Sequence, residues 1–368
     1  MTGKAFTPAP LGRITLENHL VMAPMTRSRA PGAVPNELMA EYYRQRASAG
    51  LIITEGTAPA PEGLGYARIP GLFNEEQVRG WRLTTDAVHE AGSHVFIQLM
   101  HAGRIFHELN LPAGVQGVAP SAIAAAGQMW TDQQQLQPHG TPRALSIDEL
   151  AKVRDQFVRS AQLAIEAGFD GVELHGANGY LLEQFLHPQS NQRTDAYGGS
   201  VRNRARFVLE VTRGVADAIG ADRTGIRLSP WSKANDLTHY PEIDEAYGYL
   251  ADELQKIGIV YVHLVDHARL SRLDSASATM RLVRDAFPNT IIHAGGYVRL
   301  DEIEQALAGD ERSLVAIARP FIANPDLVER LRLGLPLAEA DRATFYSPGP
   351  NGLADGYTDY PVAAEALR

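Results

Sequence analysis

The chain has no cysteine among its 368 residues, which removes disulfides, thiol nucleophiles, thiolate zinc sites and cysteine-held iron–sulfur clusters together. It also lacks any run of about 18 apolar residues free of charge, which excludes a transmembrane helix. The opening MTGKAFTP has no apolar stretch of the secretory kind, so a cytoplasmic location is expected. Clusters of cations are missing too: 34 Lys and Arg stand against 43 Asp and Glu, a formal charge of -9. Such a chain repels a phosphate backbone, and neither nucleic acid nor a membrane is an expected partner.

What is present is a repeated alternation. Short apolar runs rich in β-branched residues occur near Leu20 to Pro24, Leu51 to Thr57, His94 to Met100, Asp170 to His175, Gly225 to Ser229, Ile259 to Val265, Thr290 to Ala294 and Ser313 to Ala318. Amphipathic segments lie between them. The clearest runs from Asp148 to Gly168, where Leu150, Val153, Phe157, Ala161, Ala164 and Ile165 recur at helical spacing. Ser146 and Glu149 are placed to form a capping box at its start.

Most of the strands are apolar throughout rather than alternating, as in a parallel sheet covered on both faces. Eight strand-then-helix units predict a (β/α)8 TIM barrel filling residues 1–368 as one domain. A doubly wound sheet uses the same elements, but the first strand–helix junction has no G-x-G-x-x-G turn. The Gly- and Pro-rich segment from Arg104 to Thr141 follows the third strand, and reads as a capping loop or hairpin over the catalytic face.

In a barrel, chemistry collects at the C-terminal ends of the strands. Gly295-Gly296 after strand seven and Arg319 after strand eight suit a phosphate, because glycines admit backbone N–H groups and a guanidinium supplies bidentate charge. His175, Asn178 and Tyr180 follow strand four and offer two N–H donors and a phenol. That set suits a carbonyl whose oxygen becomes negative while a neighbouring carbon takes a proton. The competing chemistry is metal-dependent hydrolysis through His263, Asp266, His267 and His293, although strand one ends MAPMT with no ligand.

Several longer stretches carry a resemblance. APMTRSR (23–29), EYYRQRASAGLIITEGT (41–57), IQLMHAGR (97–104), AGFDGVELHGANGYLLEQFL (167–186), NQRTDAYGGS (191–200), GIRLSP (225–230), ARPFIANPDL (318–327) and GYTDYP (356–361) closely resemble the old yellow enzyme family, nearest its bacterial branch of N-ethylmaleimide, pentaerythritol tetranitrate and morphinone reductases. The resemblance runs from Phe6 to Pro361. It implies an FMN-containing barrel that takes a hydride from NADPH or NADH and passes it to a small-molecule activated alkene, as a monomer or small homo-oligomer. By matching motif positions, Pro24, Met25, Thr26, Gly56, Gln98 and Arg227 would hold the isoalloxazine, and Gly295, Gly296, Ala318 and Arg319 the phosphate. His175 and Asn178 would bind the substrate carbonyl and Tyr180 would protonate the α-carbon after hydride reaches the β-carbon. Tyr66, Met100 and Tyr346 would shape the pocket.

Four positions depart from the pattern. Asn178 stands where the nearest branch often has His, so titration of the donor pair is expected to rest on His175 alone. Met100 stands where Trp is frequent, and predicts a wider, softer pocket. Ala318 replaces a frequent Gly. Asn235, in the loop PWSKAND, has no clear counterpart. Arg193, Asp195, Arg202 and Arg206 are expected to form a paired network beneath the site. The lack of cysteine excludes the iron–sulfur relatives. A flavin-binding module without turnover remains as a second alternative, against which Tyr180 argues.

Overall fold

In the computed structural model, residues 3–271 and 273–363 are described. Eight parallel strands close into a barrel in chain order: β1 (Leu20–Met22), β2 (Leu51–Ile53), β3 (His94–Leu99), β4 (Gly171–Gly176), β5 (Thr224–Leu228), β6 (Tyr261–Val265), β7 (Thr290–Ala294) and β8 (Leu314–Ile317), with β8 pairing back on β1. The outer ring follows the same alternation. β1 leads to α1 (Glu37–Arg44), β2 to α2 (Glu75–Glu90), β3 to α3 (Ile147–Glu166), and β4 to α4 (Leu181–Leu186) and α5 (Val201–Ile219). Then β5 leads to α6 (Ile243–Ile257), β6 to α7 (His267–Ser271) and α8 (Asp274–Ala286), β7 to α9 (Leu300–Leu307), and β8 to α10 (Arg319–Ala323) and α11 (Leu327–Leu333). No helix among the described residues is long and apolar enough to cross a membrane.

The predicted elements appear with shifted ends. At Ser146 the capping box forms in full: Glu149 N–H donates to Ser146 Oγ at 3.3 Å and Ser146 N–H to Glu149 Oε2 at 2.8 Å. Two of the helix's unsatisfied N-terminal donors are thereby answered. The predicted run from Leu51 to Thr57 ends as a strand at Ile53. Beyond it the buried Glu55 carboxyl accepts Arg27 N–H at 3.1 Å and Tyr43 Oη–H at 3.3 Å.

One end of the barrel is plugged. An antiparallel hairpin, Ala9–Leu11 with Ile14–Leu16, packs Leu11 and Leu16 among Val21, Ile53, Phe96, Tyr261, Ile292 and Leu314, which removes the barrel interior from water. The other end is roofed by the segment between β3 and α3. It contains the expected hairpin, Gln128–Thr131 against Gln135–Pro138. Chain 341–361 wraps back over α1. Tyr357 stacks on Tyr42 at 4.0 Å, Arg27 donates to Gly356 O at 2.7 Å and Arg29 to Thr344 O at 2.8 Å. That clasp sets Tyr346 beside the roof, where Arg68 donates to its carbonyl at 3.0 Å.

The expected network below the site is only partly formed. Arg193 and Asp195 pair bidentately, at 3.1 and 2.6 Å. Arg206 bonds Ala196 O, and Arg202 lies over the Tyr249 ring at 5.0 Å, because α5 points it away from the loop and towards α6.

Candidate active site

A cavity of about 290 Å³ opens at the C-terminal end of the barrel, bounded among others by Thr26, Tyr66, Trp130, Tyr180, Asn235 and Tyr346. Of the three residues predicted after β4, Tyr180 lines this cavity, His175 is buried beside it at the end of β4, and Asn178 lines a neighbouring cavity with Trp231 and Ser232. The His175 and Tyr180 rings meet edge to face at 4.7 Å. Ala177 N–H donates to His175 Nδ1 at 3.3 Å, which assigns the ring proton to Nε2, the nitrogen left for a ligand. Burial, with the Arg227 charge nearby, holds the imidazole well below its usual range. His175 is therefore a neutral donor at physiological pH. Titration of the donor pair, expected to rest on His175 alone, falls below the physiological range.

The Tyr180 hydroxyl lies 3.0 Å from that of Tyr66. Burial raises both phenols above their ordinary value, so Tyr180 is held in its protonated form. Asn178 adopts a left-handed backbone, φ 55°; its N–H donates to Ser229 Oγ at 2.8 Å, and its carbonyl accepts from Asn235 Nδ2 at 2.8 Å. Asn235 is thus a site residue that the sequence left unassigned. Arg104, buried at the start of the roof, holds it there by donating to Asn235 O and Asp236 O at 3.3 and 3.0 Å.

Two pocket positions behave differently from each other. Tyr346 is exposed and lines the mouth. Met100 is 1% exposed and lies outside the cavity lining, packed with Ala58, Leu64, Ile69 and Phe106. A Cβ on Gly56 would come within 2.5 Å of its Sδ. Its flexible chain packs against Gly56, in a cluster that Tyr66 and Tyr180 also touch. At the mouth, Arg68 pairs with Asp132 of the roof hairpin, and Trp130 Nε1–H donates to the same carboxylate at 3.1 Å.

Below His175, four adjacent strands, β3 to β6, contribute a buried polar set. Glu173 accepts Gln98 Nε2–H at 2.7 Å and His263 Nδ1–H at 2.8 Å, and Arg227 is in register with both His175 and His263. Burial alone would raise the Glu173 carboxyl, but the His263 bond and the Arg227 charge hold it below the usual range. Burial and the same guanidinium keep His263 low as well. Glu173 is ionised, and His263 is its neutral donor. His293 meets Ser313 Oγ at 3.2 Å, so two of the histidines considered as metal ligands, His263 and His293, have partners of their own, while His267 Nε2 is buried without one. Among the described residues no three His, Cys, Asp or Glu converge. Glu173 was missed in the sequence because its motif, DGVELH, reads as an ordinary buried strand.

The residues suit FMN on their own chemistry. Buried Arg227 Nε has no protein partner, and the Gln98 amide, with its nitrogen committed to Glu173, keeps its oxygen for an imide N–H. Pro24, Met25 and Thr26 follow β1, and Gly56 follows β2, on the same rim. Gly295 and Gly296 (φ 71° at the latter) follow β7, and Ala318 and the exposed Arg319 follow β8. A hydrogen-bonding edge near β3 and β5 that carries the buried Arg227 cation, and a cationic, backbone-rich corner near β7 and β8, match a ring with an anionic tail.

Residues 4–338 match the NADH:flavin oxidoreductase / NADH oxidase family. The chain is 44% identical to chanoclavine-I aldehyde reductase of Penicillium roqueforti, over 98% of this chain and 97% of that protein. It is 41% identical to putative 12-oxophytodienoate reductase 11 of Oryza sativa subsp. japonica, over 98% of each. Among solved structures it is similar to morphinone reductase, with a TM-score of 0.93 at 41% identity, covering 100% of this chain and 98% of that one. Morphinone reductase in complex with tetrahydroNAD gives a TM-score of 0.91 at 42% identity, covering 99% of each chain. The barrel, the donor loop and these likenesses converge: the chain belongs to the NADH:flavin oxidoreductase / NADH oxidase family, as an old yellow enzyme-like, FMN-containing and NAD(P)H-dependent flavin oxidoreductase of the ene-reductase type.

Proposed function

We propose that the protein reduces the C=C bond of activated alkenes, namely α,β-unsaturated carbonyls and maleimides, with nitro compounds as a further class. The observation that carries this reading is a phenol held protonated, Tyr180, edge to face with a neutral imidazole whose Nε2–H is its available donor. Flavin and nicotinamide binding alone requires no such acid. Chanoclavine-I aldehyde, 12-oxophytodienoate and morphinone, the compounds for which the relatives are named, are carbonyl compounds by name, which supports a carbonyl-activated substrate.

Pro24, Met25, Thr26, Gly56, Gln98 and Arg227 would hold the isoalloxazine, and Gly295, Gly296, Ala318 and Arg319 the phosphate. When bound, FMN supplies the hydride, taken from NAD(P)H and delivered to the β-carbon. His175 Nε2–H and the Asn178 amide bind the substrate carbonyl oxygen and stabilise the charge that develops there, each donor contributing about 3 kcal/mol to the barrier. Tyr180 gives its phenolic proton to the α-carbon, and Tyr66, 3.0 Å away, is its hydrogen-bond partner for recovering it. Tyr66, Tyr346 and the roof hairpin enclose the substrate and limit the water that could protonate the carbon without control.

The test is one anaerobic titration of the purified holoprotein followed by absorption. Flavin bands should bleach on addition of NADH or NADPH and return on addition of 2-cyclohexenone. A protein that binds FMN and bleaches, but is not reoxidised by any enone or maleimide, would refute the alkene reading.

A further inference from the structure

Between the end of β4 at Gly176 and the start of α4 at Leu181, the four residues that include Asn178 and Tyr180 form no regular structure. Two of them hold left-handed backbone, Asn178 at φ 55° and Gly179 at φ 79°. For a residue with a side chain that conformation costs of order 1 kcal/mol or more, and persists only where neighbours over-determine it. Gln184 answers the carbonyl side by donating Nε2–H to Gly179 O at 2.8 Å and Ala102 O at 3.0 Å.

The N–H side converges on one carboxylate. Gly179 N–H donates to Glu183 Oε2 at 2.6 Å. Asn178 N–H donates to Ser229 Oγ at 2.8 Å, and Ser229 passes its own proton to Glu183 Oε1 at 2.9 Å. Tyr247 of α6 donates to the same oxygen at 2.6 Å. Glu183 is 3% exposed, and among the described residues no cation pairs with it. The titratable groups facing it are the phenols of Tyr247 and Tyr240, with Arg204 and Glu242 bearing on Tyr240.

We propose that Glu183 is the positioning residue of the donor loop, and that its ionised form is the one that aligns His175, Asn178 and Tyr180 for the alkene. The proposal rests on the alkene reading above only for its kinetic readout. An ionised carboxylate accepts all three donors at once. Protonation turns one oxygen into a donor, so that a hydroxyl of Ser229 or Tyr247 must reverse, and the bond to Gly179 N–H loses its charge assistance and about half its strength. Burial without a compensating cation pushes this carboxyl up to about 7, which places the change in the working range. His175 titrates well below that range and Tyr180 above it.

The experiment follows the reoxidation of NADH-reduced holoenzyme by 2-cyclohexenone in rapid mixing from pH 5.5 to 9. In parallel, amide hydrogen exchange of the 177–186 segment is measured in the oxidised holoenzyme, corrected for intrinsic rates. In the parent, reoxidation rises roughly tenfold through pH 7, and protection of the segment shifts over the same range as the buried carboxylate ionises. Glu183→Gln shows neither step and stays near the parent's acid-side rate, whereas Ser229→Ala lowers the rate but keeps the step. A parent whose exchange is invariant across pH 7 overturns the proposal without recourse to any variant. So does a step that survives in Glu183→Gln, which would belong to Glu55, the other buried carboxyl pushed up to about 7. If 2-cyclohexenone does not reoxidise the enzyme, the alkene reading fails while the exchange measurement still decides the role of Glu183.

Discussion

Replacing Tyr180 by Phe tests the acid in isolation. The ring is retained, and with it the edge-to-face contact with His175, so the loop keeps its packing. What is lost is one hydroxyl and its 3.0 Å bond to Tyr66, worth about 1 kcal/mol between neutral partners against a typical total stability of about 5–15 kcal/mol. The variant should fold and bind FMN. A positioned general acid contributes roughly 10²–10⁴ in rate. The Tyr66 hydroxyl remains in the cavity and can orient a water, so the loss should lie near the lower end, about a hundredfold. Anaerobic rapid-mixing kinetics separate the two halves of the cycle. Bleaching by NADH should stay within about twofold of the parent, because no proton from Tyr180 is needed there, while reoxidation by 2-cyclohexenone falls about a hundredfold. Tyr66→Phe, which keeps the acid and removes only its partner, should lose less than about tenfold. Equal losses in both halves, or reoxidation at the parent rate, would refute the assignment.

Four other outcomes follow from the structure. His175→Ala should slow reoxidation about a hundredfold, the usual loss for one donor to a developing oxyanion, with no change in its pH dependence between pH 6 and 8, since the imidazole is neutral throughout; a lost acid limb in this variant would contradict the Nε2–H assignment. Asp132→Asn removes the partly exposed partner of Arg68 at the mouth, and should shift KM for NADH up to about fivefold with kcat unchanged, a partly exposed pair being worth about 1 kcal/mol or less; steady-state kinetics at low and high salt check this. Ser146→Ala breaks the capping box of α3 and should lower stability by about 1 kcal/mol in urea titration with activity intact at 25 °C. Glu183, with a folded-state pKa raised to about 7, contributes stability that is fully present below the unfolded-state value and lost as pH rises through 7. Glu183→Gln should therefore gain on the parent between pH 5 and pH 8, by at most roughly 3 kcal/mol, and an unchanged gap in urea titrations at the two pH values would count against that shift.

Much of this was local and therefore written in the chain. The eight apolar runs became the eight barrel strands, because a strand buried on both faces needs uninterrupted apolar residues wherever it sits. Ser146 and Glu149, three residues apart, determined their own capping box. The gathering of Gly295, Gly296 and Arg319 with the residues after β4 on one rim followed from strand order, since a barrel collects its strand ends there whatever the loops contain.

Tertiary structure decided what depends on partners distant in sequence. Asn235 enters the site because Arg104, over a hundred residues earlier, holds its carbonyl, and no pattern within PWSKAND announces that bond. Met100 packs where it does because Gly56, beyond the neighbouring strand, leaves room for its sulfur. His175 reads as a titrating donor until Ala177 N–H fixes its tautomer and burial, with Arg227 of the next strand, depresses it. Glu183 is one more polar residue in LLEQFL until Ser229 and Tyr247, brought in by β5 and α6, enclose it with Gly179. Hydrophobic pattern and capping act within a few residues along the chain, and the sequence alone determines them. The charge state and orientation of a buried polar group depend on the field and the donors around it, which exist only once the barrel has closed.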